Sequence, residues 1–359
     1  PGDADSAPAA AAVGHRRAMI ERSRAAAASL PLLLCACSYQ QYQSALGDAG
    51  VEDRHFLVLF TIFLVVCAAM YVLVIALLLV GIMRRRRAGD ANVVETGRHH
   101  QSHPLMRSGL IAWGALVAIG LIGLTIADFI TDRSDANAAS NEKLSITVTG
   151  KQWWWDVQYN SADVSKMLRT ANELHLPVGV PVRIMLRSDD VIHSFWVPSL
   201  VGKQDLIPGR DTDVSFTPTK VGIFRGQCAE FCGAQHAHMA FVVEVQPYAD
   251  FIKWWEHQLQ EAPQPTTPLA RAGYNYVTTR QCATCHTIAG TPAGGRVGPD
   301  LTHLASRRSI AAGTLPMGEG NLYGWVADPQ SIKPGTKMPT MDLEPSDLHA
   351  VVSYLETLK

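Results

Sequence analysis

Charge is scarce in this chain of 359 residues: Asp, Glu, Lys and Arg fill 18% of positions, below the roughly 25% of an average globular domain. What charge there is nearly cancels, 31 Lys and Arg against 32 Asp and Glu, so no strong basic field draws nucleic acid. The seven cysteines do not form a disulfide framework either: 228/232 and 282/285 are tight pairs, and Cys35, Cys37 and Cys67 stand apart. A soluble cytoplasmic enzyme, a disulfide-rich secreted protein and a nucleic-acid binder are therefore poor readings. The length suggests two or three domains. The hydrophobic fraction, 47%, is ordinary, but much of it is gathered into two uncharged stretches.

Residues 56–83 contain no charge and, as a helix rising 1.5 Å per residue, reach about 42 Å, more than the roughly 30 Å of a bilayer core. A second stretch is uncharged over 109–127, is taken as a span to about residue 130, and has Trp113 near one end, where an amphipathic ring suits the interface. Both are predicted to be transmembrane helices, because lipid offers an irregular backbone no partners. Between them lie Arg84, Arg85, Arg86 and Arg87, then Arg98 and Arg107, against only Asp90 and Glu95. The positive-inside bias makes this loop cytoplasmic and puts everything after about residue 128 outside. Cys67, within the first span, reads as a small apolar filler.

Ahead of the spans, Arg16, Arg17, Arg22 and Arg24 precede an apolar run at 25–36 that is too short to cross a membrane and reads as a signal-peptide core. It ends in Leu34-Cys35-Ala36-Cys37, which resembles a lipoprotein cleavage box with Cys37 as the lipidated residue. Residues 1–37 are thus expected to be a leader, and 38–135 the two-helix membrane part.

From residue 144 the pattern becomes short strands: 144–149, 153–159, 182–186 with Val182, Ile184 and Leu186 alternating, and 240–245 with Phe241, Val243 and Val245 on one face. Period-two alternation broken by Pro and Gly predicts an antiparallel sandwich or barrel over 140–260, closed by an amphipathic helix at 248–260. Three prolines in 261–268 make a stiff, extended spacer. The last module, 269–359, shows short helical patches and a final helix capped by Ser346, with Leu348, Val351, Val352 and Leu355 on one side. At about 90 residues it is small, and a buried cofactor would help hold it together.

Within the sandwich, Cys228-Ala-Glu-Phe-Cys232-Gly-Ala-Gln-His236-Ala-His-Met239 packs two thiols, an imidazole and a thioether into one loop. Soft sulfur with imidazole suits copper or zinc and excludes magnesium or calcium. Met239 and a further histidine, His193, favour copper; a zinc site or a Cys228–Cys232 disulfide are the alternatives. His175, His238 and His257 read as surface or packing residues. In the last module, Cys282-Ala-Thr-Cys285-His286 is the c-type haem attachment signature, two thiols for the porphyrin vinyls and an adjacent proximal histidine. Gly298-Pro-Asp-Leu follows it. The run Lys333-Pro-Gly-Thr-Lys-Met338-Pro then resembles the distal-ligand loop of small class I cytochromes c, with Met341 and Met317 as rivals to Met338. His/Met ligation raises the potential and suits a carrier.

Lys151-Gln-Trp-Trp-Trp-Asp, Asp190-Val-Ile-His193-Ser-Phe-Trp-Val-Pro-Ser-Leu, Asp205-Leu-Ile-Pro-Gly-Arg210 and Gly226-Gln-Cys-Ala-Glu-Phe-Cys-Gly233 together closely resemble subunit II of cytochrome c oxidase over about residues 40–260. The resemblance implies a two-helix hairpin, a cupredoxin-like β-sandwich and a binuclear copper centre, CuA. Its coppers would be bridged by Cys228 and Cys232, ligated by His193 and His236, and completed by Met239 and the Glu230 carbonyl. It also implies that the Glu230 carboxylate helps hold magnesium at the subunit I interface, and that Trp153 receives electrons. On a strand Trp153 and Trp155 share one face, so packing accounts for part of that triplet.

Fusion of subunit II to an all-α class I cytochrome c is the arrangement of caa-type oxidases. The expected function is that of their electron-accepting subunit. An external donor, such as cytochrome c or another respiratory complex, reduces a covalent haem c, which passes the electron to CuA and on to subunit I, where oxygen reduction is coupled to proton translocation. No catalytic residue is expected in this chain, because neither span contains a histidine for the oxygen site. The expected location is the bacterial inner membrane, multi-pass, with both cofactor domains on the periplasmic side. One departure is Leu110, three residues before Trp113, where many relatives carry a glutamate at a proton channel. The CuA subunit of a nitric oxide reductase and a membrane-tethered copper carrier or assembly factor are the alternatives.

Overall fold

The computed structural model describes residues 43–88, 104–138 and 143–359. The leader 1–37 with Cys37, and Asp90, Glu95 and Arg98 of the arginine-rich loop, lie outside the described residues. Helices α1 (Val51–Ala88) and α2 (Pro104–Ala138) run past the uncharged cores because polar turns extend them at both ends. Glu52 and Asp53 in the first turn of α1, and Arg85, Arg86 and Arg87 in its last, complement the helix dipole. Each helix is long and apolar enough to cross a membrane. Their exposed Phe63, Leu77, Ile119 and Phe129 form the kind of surface that lipid covers.

The segment that leads into α1 is bonded to the β-sandwich. Ala49 N–H donates to Ser199 O at 3.1 Å, Val51 N–H to Thr217 O at 3.2 Å, and Thr219 N–H returns to Ala49 O at 2.6 Å. Gly50 passes so close to the next segment that a Cβ there would lie 2.0 Å from Leu200 O.

The sandwich has two five-stranded sheets. One holds β1 (Leu144–Lys151), β2 (Trp154–Asn160), β3 (Leu168–Ala171), β5 (Val182–Ser188) and β8 (Thr212–Phe216) in the order β3-β2-β1-β5-β8. The other holds β4 (Glu173–Pro177), β6 (His193–Val197), β7 (Val201–Leu206), β9 (Gly222–Cys228) and β10 (Ala240–Gln246) in the order β4-β10-β9-β6-β7. The sequence pattern predicts antiparallel pairing; most pairs are antiparallel, but β1 with β5 and β4 with β10 are parallel. The chain crosses between sheets from β3 to β4 and back from β4 to β5, so these neighbours are not joined by hairpins.

Leu144, Ile146 and Val148 of β1 face inward as their alternation requires. Trp155, Phe195 and Phe241 meet at the centre, with ring centroids of Phe195 and Phe241 4.9 Å apart and Trp155 edge-on to Phe241 at 5.1 Å. In β10 the outward side is also buried at Ala240 and Val242, beyond the one apolar face read from the sequence. The C-terminal module is the reason at Ala240, whose N–H donates to Ala312 O at 2.9 Å. Helix α3 (Tyr248–Gln258) closes the sandwich with Phe251, Trp254 and Trp255 around Tyr159.

The last module is helical: α4 (Pro268–Thr279), α5 (Gln281–Cys285), α6 (Glu319–Ala327), α7 (Pro329–Ile332) and α8 (Pro345–Leu355), with a two-stranded ribbon of β11 (Ser309–Ile310) and β12 (Leu315–Pro316). Thr267 caps α4 by accepting from Ala270 N–H, and Pro268 starts it. The final helix does not begin at Ser346 as its polar side chain suggests. Pro345 occupies the first turn, where its fixed φ suits a helix start, so Ser346 falls inside. Val351, Val352 and Leu355 are buried, as the apolar pattern predicts, and Leu348 packs at the edge.

Helices α4 and α8 cross at Gly273, where an added Cβ would lie 1.9 Å from Ala350 O. Gly273→Ala is expected to cost about 1–3 kcal/mol by overpacking. Amide hydrogen exchange checks it: protection should fall in α4 and α8 and stay unchanged in the sandwich.

Candidate metal centre and adjoining haem cavity

Strand β9 delivers Cys228 at its end, and the loop to β10 carries Glu230, Cys232, His236 and Met239. Cys228 N–H donates to Met239 O at 2.9 Å, closing the loop at its base. A 3-10 turn at His236–His238 brings His236 and Met239 back toward the thiols. Strand β6 starts with His193, and Ala229 N–H donates to Ser194 O at 3.0 Å, tying the loop to that strand. Gly150 lies under the imidazole: a Cβ there would be 2.7 Å from the His193 ring.

The six expected donors converge. Cys228 Sγ is 3.7 Å from Cys232 Sγ and 3.9 Å from His193 Nδ1. Cys232 Sγ is 3.6 Å from His236 Nδ1 and 3.8 Å from Met239 Sδ. The Glu230 carbonyl lies 3.2 Å from Cys228 Sγ. His193, Cys228, Cys232 and Met239 are buried, whereas His236 is half-buried and the Glu230 side chain is exposed.

These distances decide among the alternatives. A disulfide needs an S–S bond of about 2.05 Å, so the sulfurs, 3.7 Å apart, are unbonded thiols. Two thiols, two imidazoles, a thioether and a carbonyl exceed what one tetrahedral zinc takes, and soft donors of this kind suit copper. The donor set therefore fits a copper centre. Hydrogen bonding from the Cys232 thiol, reinforced by His193, holds the Cys228 thiol down to about 3, and sharing that proton pushes Cys232 up. A metal takes both sulfurs as thiolates, so loading this pair releases protons.

Two supporting groups escape motif reading. Asp190 Oδ1 lies 2.8 Å from His193 Nε2 and accepts its N–H, leaving Nδ1 free to face the thiols; only its position three residues before His193 hinted at this. The Cys232 carbonyl accepts from Gln152 Nε2 at 2.7 Å and from Trp153 Nε1 at 3.0 Å. Trp153 and Trp155 are both buried and Trp154 half-buried, but Trp153 lies in the turn before β2, one residue short of the strand expected from 153, so its burial is set by the turn and not by strand alternation.

Trp153 also lines a cavity of about 390 Å³ in the helical module, together with Cys282, Cys285, His286, Met338 and Met341. That volume lies in the ~300–1,000 Å³ range of cofactor sites. Its walls carry both cysteines of the attachment signature, the adjacent histidine and a methionine, a set that fits a c-type haem. Met317 does not line it, so of the rivals to Met338 only Met341 shares the space. His286 Nδ1 donates to Pro299 O at 2.7 Å, which leaves Nε2 free for a haem iron it would ligate, and burial lowers the His286 pKa and favours its neutral form. Gly298 leaves room for this ring: a Cβ would be 2.7 Å from it.

Glu173, His175 and Glu244 form a second cluster with metal-like donors. It is engaged by Arg308 of the helical module, whose N–H donates to Glu173 at 3.0 Å and whose Nε donates to Glu244 at 2.9 Å, so it serves docking. His175, read as a surface or packing residue, packs: its ring stacks on Trp254 at 4.1 Å. Glu230 belongs to neither cluster of candidate metal ligands among the described residues.

A soft-donor set that fits copper on a β-sandwich, joined to a helical module whose cavity fits a c-type haem and preceded by two helices apolar enough to cross a membrane, fits the class of membrane-anchored electron-transfer proteins. The family model for the periplasmic domain of cytochrome c oxidase subunit II matches residues 144–246, and that for cytochrome c matches residues 270–359. Cytochrome c oxidase subunit 2 of Alkalihalophilus pseudofirmus is 30% identical over 331 residues, covering 92% of this chain and 95% of the relative. The corresponding subunit of Bacillus sp. (strain PS3) is 32% identical over 295 residues, covering 77% and 80%. The solved periplasmic domain of subunit II of cytochrome oxidase from Bradyrhizobium japonicum is 32% identical, covers 33% of this chain and 94% of its own, and has a TM-score of 0.31. The chain belongs to the cytochrome c oxidase subunit 2 family, with a cytochrome c domain fused at its C-terminal side. The two matched domains imply copper of the CuA kind and a haem.

Two outcomes test the site. Asp190→Ala is expected to weaken metal binding about 10–100-fold, as loss of a carboxylate behind a ligating histidine does; chelator competition measures it. Because loading releases protons, affinity should fall as pH is lowered, by about tenfold per pH unit for each proton released, and the same titration repeated across pH reads the slope.

Proposed function

We propose that this chain is the electron-accepting subunit of a caa-type respiratory oxidase, taking electrons from an external donor through haem and CuA to subunit I, where oxygen is reduced with proton translocation. His193, Cys228, Cys232, His236, Met239 and the Glu230 carbonyl would hold the two coppers. Cys282 and Cys285 would bind the haem covalently, with His286 and Met338 as its axial ligands. The cofactors supply one-electron carriers; the chain supplies their setting. A rigid β loop keeps the donors from shifting, and the half-buried His236 leaves one edge of the centre near the surface, open to a partner.

The observation that carries this reading is Trp153: one side chain lines the haem cavity and donates 3.0 Å to the carbonyl of Cys232. It supports Trp153 as the residue through which electrons pass between the two sites. The exposed Glu230 carboxylate would complete a magnesium site only with ligands from subunit I, which fits an interface ion. The spans hold the chain in the inner membrane as a multi-pass protein, and both cofactor domains face the periplasm. Residues 1–37 serve as its leader.

Metal analysis and electron paramagnetic resonance of the purified protein test the proposal. Two coppers sharing one unpaired electron, together with one covalent haem, support it; a single labile copper overturns it. Met239→Leu should perturb the copper spectrum and leave the haem spectrum unchanged.

A further inference from the structure

Lys333 belongs to the haem module but is only 2% exposed, and its ammonium is spent largely on the other domain. Nζ donates to Trp153 O at 2.7 Å, His238 O at 2.7 Å and Ala311 O at 3.0 Å. Burial draws the Lys333 pKa down to about 7, and opposing this the three carbonyls offer one acceptor to each proton of the ammonium form. Two of those acceptors lie in the sandwich: Trp153 beside the Cys232 carbonyl, and His238 between His236 and Met239.

The rest of the Lys333–Met338 loop follows the same surface. Gln235 Nε2 donates to Pro334 O at 2.8 Å. A Cβ on Gly335 would lie 3.5 Å from the Trp153 ring, and Lys337 Nζ is 3.7 Å from Asp190. One loop therefore carries a candidate haem ligand at its end and the buried cation at its start. An apolar side chain could fill the space that Lys333 occupies. Three directed, charge-assisted bonds do more, because they fix the loop in a single register.

We propose that Lys333 is a positioning residue for electron transfer between the haem and copper sites, its ammonium fixing the Met338 loop against Trp153 and the 236–239 turn. This rests on the relay proposed above. No hydrogen bond of Lys333 goes to any of the expected ligand side chains; it acts through the backbone on which they are mounted.

The test compares wild type with Lys333→Met in the assembled oxidase. Flash reduction of the haem, followed at the haem and copper bands, reads internal transfer. Amide hydrogen exchange at residues 236–239 and 334–338 reads the docking independently of turnover. Internal transfer should slow about tenfold, the shift in docked population that losing buried charge-assisted bonds brings. Exchange should rise in both segments, while the haem and copper spectra keep their wild-type form. A transfer rate indistinguishable from wild type, or unchanged exchange, overturns the role of Lys333. Where Lys333→Met does not load both cofactors, Lys333→Gln, which keeps a donor without the charge, takes its place: a smaller slowing with raised exchange at 334–338 supports the inference and an unchanged rate defeats it. Failure of the wild-type haem to reduce the copper at all would sink the relay as well, an outcome distinct from a variant that matches a working wild type.

Discussion

The amide of Cys228 donates to the Met239 carbonyl across 2.9 Å, and most of the candidate donor set depends on that bond. It turns the segment between β9 and β10 into a closed loop whose ends are fixed by strand pairing, so the thiols, His236 and Met239 face one another. His193 arrives from a neighbouring strand of the same sheet, its ring supported by Gly150 and held by Asp190. A buried set of soft donors is stable only while each polar group keeps its partner, and the sheet supplies the rigidity for this.

The helical module does not hang from the sandwich on its proline-containing linker. Ala262 in that linker is buried and its N–H donates to Ala289 O, while Arg308, Gln235 and Ala240 join the two bodies at separate points. Residues 261–266 carry no regular structure and are mostly exposed, as a proline-containing spacer would be, with Ala262 alone buried; yet the spacer joins two bodies that are docked rather than held apart. The difference lies in long-range contacts such as Arg308 with Glu173 and Glu244, which no local composition reveals.

Much of the site was legible because its chemistry is local. Cys228 to Met239 and Cys282 to His286 are contiguous, and a donor set held on one loop announces itself by spacing. The two spans were equally plain, since lack of charge over 56–83 is a property of the sequence itself. What could not be read were acts at a distance: Asp190 turning the His193 ring, Lys333 reaching across the domain boundary, and the parallel pairing of β1 with β5 and β4 with β10. At the start of α8, Pro345 and Ser346 offer rival starts one residue apart, and the fixed φ of proline prevails.

The close passage at Gly50 bears on how the subunit meets its membrane partner. With Ala49, Val51 and Thr219 bonded across the root of α1, the sandwich is fastened to the start of the first helix without a swivel. A domain on a loose tether would surrender orientational freedom on docking; here much of that entropy has already been given up during folding, so less of the binding energy goes to aiming the copper loop. Assembly with subunit I thus begins from a domain already oriented.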